Sequence, residues 1–153
     1  MLVIDTDVLS IHHIFTGDKR YKKNKEFLSM VKTKESYTTI FNLLELCGIL
    51  ATVGDKKQVE ELYRMYFASE EIKLLLPSTI DKVSNISWSE ISEEMLEIIK
   101  RGTRFGDASI LWICEEHDVK YFITWNIRHY EGKTSIQCFT PEQFLNNTKG
   151  LKR

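Results

Sequence analysis

Three carboxylates stand where this chain has little else that is polar. Asp5 follows the apolar run Leu2-Val3-Ile4, Glu45 lies in a stretch (residues 40–51) whose only other polar side chain is Asn42, and Asp107 opens a nearly all-apolar segment ending at Cys114. A carboxylate among apolar neighbours is costly unless it is paired, protonated or bound to a cation. No Lys or Arg stands one helical turn from Glu45 to pair with it. If the three acids converge, they repel and raise one another's pKa, and a hard divalent cation removes that penalty. Ligation by oxygen alone, with water kept in the sphere, suits Mg²⁺ or Mn²⁺, whereas zinc favours His or Cys. Such a cation activates water and neutralises charge on a phosphodiester during in-line displacement.

The elements that must position these acids follow from the patterning. The apolar run before Asp5 reads as a strand buried on both faces, as in parallel sheets, and it puts Asp5 at the carboxyl edge where open α/β sheets bind ligands. A helix is expected over residues 8–15 with Asp7 as its N-cap. A second, over 21–32, carries Phe27, Leu28 and Val31 on one face. Residues 36–39 suggest a strand, and 40–53 a helix apolar nearly all round, hence buried. Val59, Leu62, Tyr63, Tyr66 and Phe67 form a stripe on a helix over 56–69, fitting core or a dimer interface. Residues 72–76 fit either a helical extension or a strand, and 83–88 suggest a further strand. A helix over 89–101 is expected with Ser89 as cap. Beyond the Gly102–Gly106 break come a helix from Asp107, strands over 120–125 and 134–139, and a short helix over 140–145. A helix that feeds a parallel strand runs antiparallel to it, so the helix start and the strand end share an edge. By that rule Asp107 meets Asn126, and Asp5 and Glu45 lie on the same edge.

The chain has 153 residues, 42% hydrophobic and 28% charged, with a net charge of −1. That suits one domain with its own core, residues 1–145, and a polar tail, 146–153. No global basic surface announces nucleic acid. The run Lys19-Arg20 with Lys22-Lys23 is more simply a solvated face than a binding patch. Cys47, Cys114 and Cys138 are far apart and lack metal-site spacing, which argues for small buried thiols. No membrane span or signal peptide is recognisable, and a cytoplasmic chain is expected.

Several short motifs carry a family resemblance. They are Ile-Asp5-Thr6-Asp7-Val-Leu, Leu-Leu-Glu45-Leu-Cys-Gly-Ile, Gly-Asp107-Ala-Ser-Ile, Ile-Thr124-Trp-Asn126-Ile-Arg-His-Tyr and the late Thr-Pro-Glu-Gln-Phe-Leu. Together, in this order and over essentially the whole chain, they resemble a PIN domain, in the small form similar to VapC-type toxin ribonucleases. The resemblance implies a three-layer α/β/α fold with a mainly parallel sheet and a Mg²⁺- or Mn²⁺-dependent endoribonuclease acting on RNA. It also implies a homodimer and a small antitoxin partner that blocks the site. It assigns Asp5, Glu45 and Asp107 as metal ligands and catalytic acids, with Thr6, Thr124 and Asn126 in support. Two positions depart from the family pattern: Asp7 stands where Asn is common, and Asn126 where many relatives carry Asp, with His129 where an acid often follows. A weak or absent second metal is the expected consequence.

Other readings compete residue by residue. Asp5 and Asp107 fit a turn acid and a helix cap, and Glu45 fits a buried pair with a distant Arg. Arg104, with its fork of donors, suits RNA phosphate or an ordinary surface. Trp125 suits core packing, or stacking on a base. As whole functions, a haloacid-dehalogenase-like phosphatase is the enzymatic alternative, because Asp5-Thr6-Asp7 after a strand resembles its Asp-x-Asp motif. A PIN-like module that binds RNA or protein without cutting is the other.

Overall fold

The computed structural model describes residues 1–32, 34–78 and 88–150. Five parallel strands form one sheet in the order β3-β2-β1-β4-β5. They are β1 (Leu2–Ile4), β2 (Ser36–Thr39), β3 (Ile72–Leu75), β4 (Tyr121–Ile123) and β5 (Gln137–Phe139). Between them run α1 (Thr6–His13), α2 (Tyr21–Val31), α3 (Ile40–Ala51), α4 (Lys56–Phe67), α5 (Trp88–Lys100) and α6 (Phe105–Glu116), and α7 (Pro141–Gly150) closes the chain. The chain steps outward from β1 to β2 and β3, then crosses to β4 on the other side of β1. The order therefore reverses between β1 and β4, and at such a switch point the loops above the two strands diverge and leave a crevice.

β1 is central and buried on both faces, and its residues divide between two cores. Leu2 and Ile4 join Leu9, Phe27, Leu43, Leu46 and Ile123 under α1, α2, α3, α4 and α7. Val3 joins Ile98, Ile110, Leu111, Ile113 and Phe122 under α5 and α6. These are the two helical layers of a three-layer α/β/α architecture. Each such side chain contributes about 1.5–3 kcal/mol by leaving water. The pairing Ile4↔Ile123 fixes the register, and Asp5 N–H continues the ladder by donating to Ile123 O at 2.9 Å.

Several expectations change at the element ends. Helix α1 begins at Thr6, and its N-cap is Asp5, not Asp7. Helix α6 begins at Phe105, so Asp107 lies inside its first turn. Residues 72–75 form a strand, and Ser89 sits within α5 instead of capping it. The strand expected over 83–88 falls largely outside the described residues, and Trp88 belongs to α5. The last helix runs on past 145 to Gly150, and α7 packs on α2. Helix α3 is not buried all round: Leu44 is 51% exposed, and Glu45 is exposed beside it. Its apolar composition covers a core side and a solvent side alike. In the α4 stripe Leu62 and Tyr66 are core, while Tyr63 and Phe67 face outward. Cys47 and Cys114 are buried and Cys138 half-buried, all as free thiols. Among the described residues no helix is long and apolar enough to cross a membrane.

Candidate active site

Above the β1/β4 switch point lies a cleft of about 430 Å³. Asp5, Thr6, Glu45, Arg104, Asp107 and Asn126 all line it, joined by Asp7, Ser10, His129 and Tyr130. The topology thus gathers residues from the ends of β1 and β4 and from the starts of α1, α3 and α6. Thr124 alone among the expected residues does not line the cleft. It is fully buried beneath it, and its hydroxyl donates to Asp7 Oδ2 at 3.1 Å.

Asp5 forms the floor. Its Oδ1 accepts from Thr6 N–H at 2.8 Å and from Asn42 Nδ2 at 2.9 Å, and its Oδ2 stands 3.4 Å from the Tyr130 hydroxyl. Asn42 fixes this arrangement from α3. Its Nδ2 also reaches Thr6 Oγ1 at 3.0 Å, while its Oδ1 accepts from Thr39 N–H and Thr39 Oγ1 in a capping box. One buried amide therefore ties the β1–α1 junction to the β2–α3 junction. Burial lifts the Asp5 carboxyl well above the usual carboxylate range, and repulsion from Asp7 and Glu45 adds to this. Asp7 is raised as well, first by burial, against hydrogen bonds from Trp125 N–H and Thr124 and the charge of Arg20.

Asp107 and Tyr130 make the second wall. The Tyr130 hydroxyl lies 3.3 Å from Asp107 Oδ1, so it bridges Asp5 and Asp107, with a single proton for two carboxylates. Burial, then the charges of Asp5 and Asp107, push its phenol pKa far up, and it stays a neutral donor. His129 Nδ1 stands 3.7 Å from Asp107 Oδ2. Glu45, exposed on α3, forms the outer lip, so the metal-ion explanation for it no longer rests on a burial cost. Arg104, exposed at the N-cap of α6, is the cleft's arginine. Trp125 is not an open stacking platform, because Arg20 lies over its ring at 5.6 Å and the remainder packs on the core.

The donors meet a hard cation's needs in type. Carboxylate oxygens dominate, and Asp7 Oδ1 is buried without any hydrogen-bond partner among the described residues. Among the described residues no three His, Cys, Asp or Glu side chains stand close enough to enclose an ion by themselves. A cation here would therefore take one or two protein carboxylates and complete its sphere with water.

Sequence patterning missed Asn42, Asp7's link to β4, and Tyr130. The Thr39-x-x-Asn42 spacing at the start of an apolar helix is a variant of the capping-box signature and points to Asn42. Tyr130 closes the fourth motif, but its role is not readable there, because its position depends on the 3-10 turn Ile127–His129 that brings it to the cleft.

No protein-family profile and no curated protein matches the chain by sequence. Solved structures do match by shape. Mycobacterium tuberculosis VapC20, a toxin that cleaves the sarcin-ricin loop, superposes with a TM-score of 0.57 at 16% identity, covering 80% of this chain and 87% of its own. A toxin-antitoxin complex from Klebsiella pneumoniae gives 0.58 at 19% identity over 92% of this chain and 98% of its own. FitAcB from Neisseria gonorrhoeae gives 0.59 at 14% identity over 93% and 99%. The chain has a PIN-like fold. In this PIN-like fold the cleft sits at the sheet's carboxyl edge, with acids contributed by the β1–α1 junction, by α3 and by the first turn of α6.

Proposed function

We propose that this protein is a divalent-metal-dependent endoribonuclease, the toxin of a toxin–antitoxin pair. The observation that carries the proposal is the gathering of Asp5, Asp7, Glu45 and Asp107 around one cleft at the switch point of the sheet. Four acids facing one crevice repel one another, and a bound cation relieves that repulsion. The fold likeness to VapC20 and to the toxin–antitoxin complex supports the substrate class and a cognate antitoxin as partner. A homodimer and a cytoplasmic setting belong to the same reading.

Of Asp5, Glu45 and Asp107, one or two would ligate Mg²⁺ or Mn²⁺ directly and the rest through water, and the bound ion would lower the pKa of a water and neutralise charge on the scissile phosphodiester. Asn42, Thr6 N–H and Tyr130 fix the Asp5 carboxylate so that it need not reorganise on binding. Tyr130 positions Asp107 in the same way. Thr124 and Trp125 N–H hold one oxygen of Asp7 and leave the other free of hydrogen bonds. Arg104 presents a guanidinium at the rim, suited to a phosphate oxygen.

The test is incubation with a mixed set of structured RNAs under Mg²⁺, Mn²⁺ or EDTA. Wild type is expected to give discrete fragments only with metal. Asp107→Asn, nearly isosteric and still able to meet the Tyr130 hydroxyl through its amide oxygen, is expected to fold normally and lose cleavage by about 10²-fold or more, the usual scale for a transition-state charge contact. An unchanged rate in Asp107→Asn would reject this site.

A further inference from the structure

One cationic surface beside the cleft takes no part in holding the metal or the scissile phosphate. Lys19, Arg20, Lys22, Lys23 and Lys25 cluster at the α1–α2 connection and the start of α2. Several exposed cations elsewhere face carboxylates, Lys32 with Glu71 at 2.8 Å, Lys57 with Glu61 at 3.7 Å, Lys100 with Glu97 and Arg101 with Glu115, both at 2.6 Å, while Lys34, Lys56, Lys120 and Arg128 make no ion pair among the described residues and do not form a cluster in sequence. Here Lys23 reaches Glu26 at 3.4 Å, but Lys19, Lys22 and Lys25 make no ion pair among the described residues. The first turn of α2 also contains no acid and no side-chain cap, although the positive end of a helix favours acids. Cations concentrated there raise the local potential at a cost in stability.

Arg20 connects this surface to the cleft. Its Nε and Nη2 donate to Asp18 at 2.9 and 2.7 Å, which holds the guanidinium over Trp125 and leaves its remaining N–H donors for a ligand. Trp125 in turn donates its backbone N–H to Asp7 Oδ2 and its Nε1 to Asn24 Oδ1, both at 2.9 Å. Only one residue separates Arg20 from the acids. Arg104 lies on α6, in the opposite helical layer. A strand crossing the cleft would pass from one arginine to the other.

We infer that the Lys19–Arg20–Lys22 surface binds the phosphate backbone of single-stranded RNA next to the segment in the cleft. The inference rests on the ribonuclease reading. A cleft of about 430 Å³ holds only a short piece of strand, so neighbouring phosphates fall on its flanks. The flanks must then supply the cations that the acid cleft lacks. A rigid, oriented guanidinium matches phosphate geometry, whereas a solvated face requires no such anchoring. An acidic polypeptide is the competing occupant.

The experiment is fluorescence anisotropy of a labelled single-stranded RNA in EDTA, where metal-dependent cleavage is off. Lys19→Glu/Lys22→Glu is expected to weaken binding about tenfold or more. It should also flatten the dependence of log affinity on log salt by about 0.7 for each phosphate that the variant leaves unneutralised. Arg20→Lys should lose most of what Arg20→Ala loses, since it keeps the charge but not the fork. Lys56→Glu/Lys57→Glu, on the remote start of α4, should bind as wild type does. Unaltered affinity in the Lys19/Lys22 variant, or equal loss in the Lys56/Lys57 control, overturns the inference. So does a result in which the reversals abolish binding of polyglutamate but not of RNA. If wild type binds RNA through this surface yet cuts none with metal, the nuclease reading falls and the surface stands. If the Lys19/Lys22 variant cleaves with an unchanged KM and binds as wild type, the surface falls and the nuclease stands.

Discussion

Asp5 is the residue whose environment most constrains the rest. Its carboxyl is held above the ordinary value of about 3.9, so the folded protein binds that proton more tightly than the unfolded chain does. Its favourable contribution is complete below that ordinary value and is lost as pH rises through the raised one. Without metal, ionising Asp5 is a cost to the fold, and it grows as pH rises above that ordinary value. Asp5→Asn keeps the shape and the N-cap role, and in EDTA at pH 7 it is expected to melt at least ~2–4 °C above wild type, about 1 kcal/mol for a chain of this size. The gap should close toward pH 4. His13 works with the opposite sign: burial holds its imidazole at about 4, so its contribution is present above its ordinary value of about 6.5 and disappears as pH falls through about 4. Thermal melts of both proteins across pH isolate the Asp5 effect, because His13 is common to them. A wild type more stable than Asp5→Asn at neutral pH in EDTA would contradict the burial argument.

At the scale of elements, the junctions carry the site, and Asn42 is where two of them meet. Asn42→Ala would strip the capping box from α3 and leave Asp5 and Thr39 short of partners in a buried setting. A loss of ~2–4 kcal/mol in urea unfolding is expected, more than an exposed cap costs. Apolar runs and their polar interruptions made the strands, the parallel order and the shared edge of Asp5, Glu45 and Asp107 legible from sequence, because each is a local pattern or a rule of chain connection. Cap positions were less legible. Asp5 and Asp7 are both acids two residues apart, and which one caps α1 depends on where Ile123 O ends the ladder. Glu45's exposure was hidden for a related reason: an apolar helix reads as buried whether its outer side meets protein or water. The unpaired state of Lys19 and Lys22 depends on distant residues, so no local pattern could reveal it.

For the whole molecule, the reversal of strand order between β1 and β4 places the cleft between two separately packed helical layers. An ion held there binds the folded state alone and must stabilise it. Mg²⁺ at about 100 times its Kd is expected to add about 2.7 kcal/mol, read as a rise in melting temperature that Asp107→Asn diminishes. Absence of any Mg²⁺-dependent shift would remove the cation from the site. Trp125 adds a consequence of an optical kind. Its backbone N–H grips Asp7, its indole nitrogen grips Asn24, and its ring carries Arg20. The indole is therefore an emitter wired to both halves of the surface. With Trp88, 82% exposed, changed to Phe to cut the solvent-exposed background, ion entry and strand docking should each alter the fluorescence of Trp125, so that the order of the two events can be timed in a single mixing experiment.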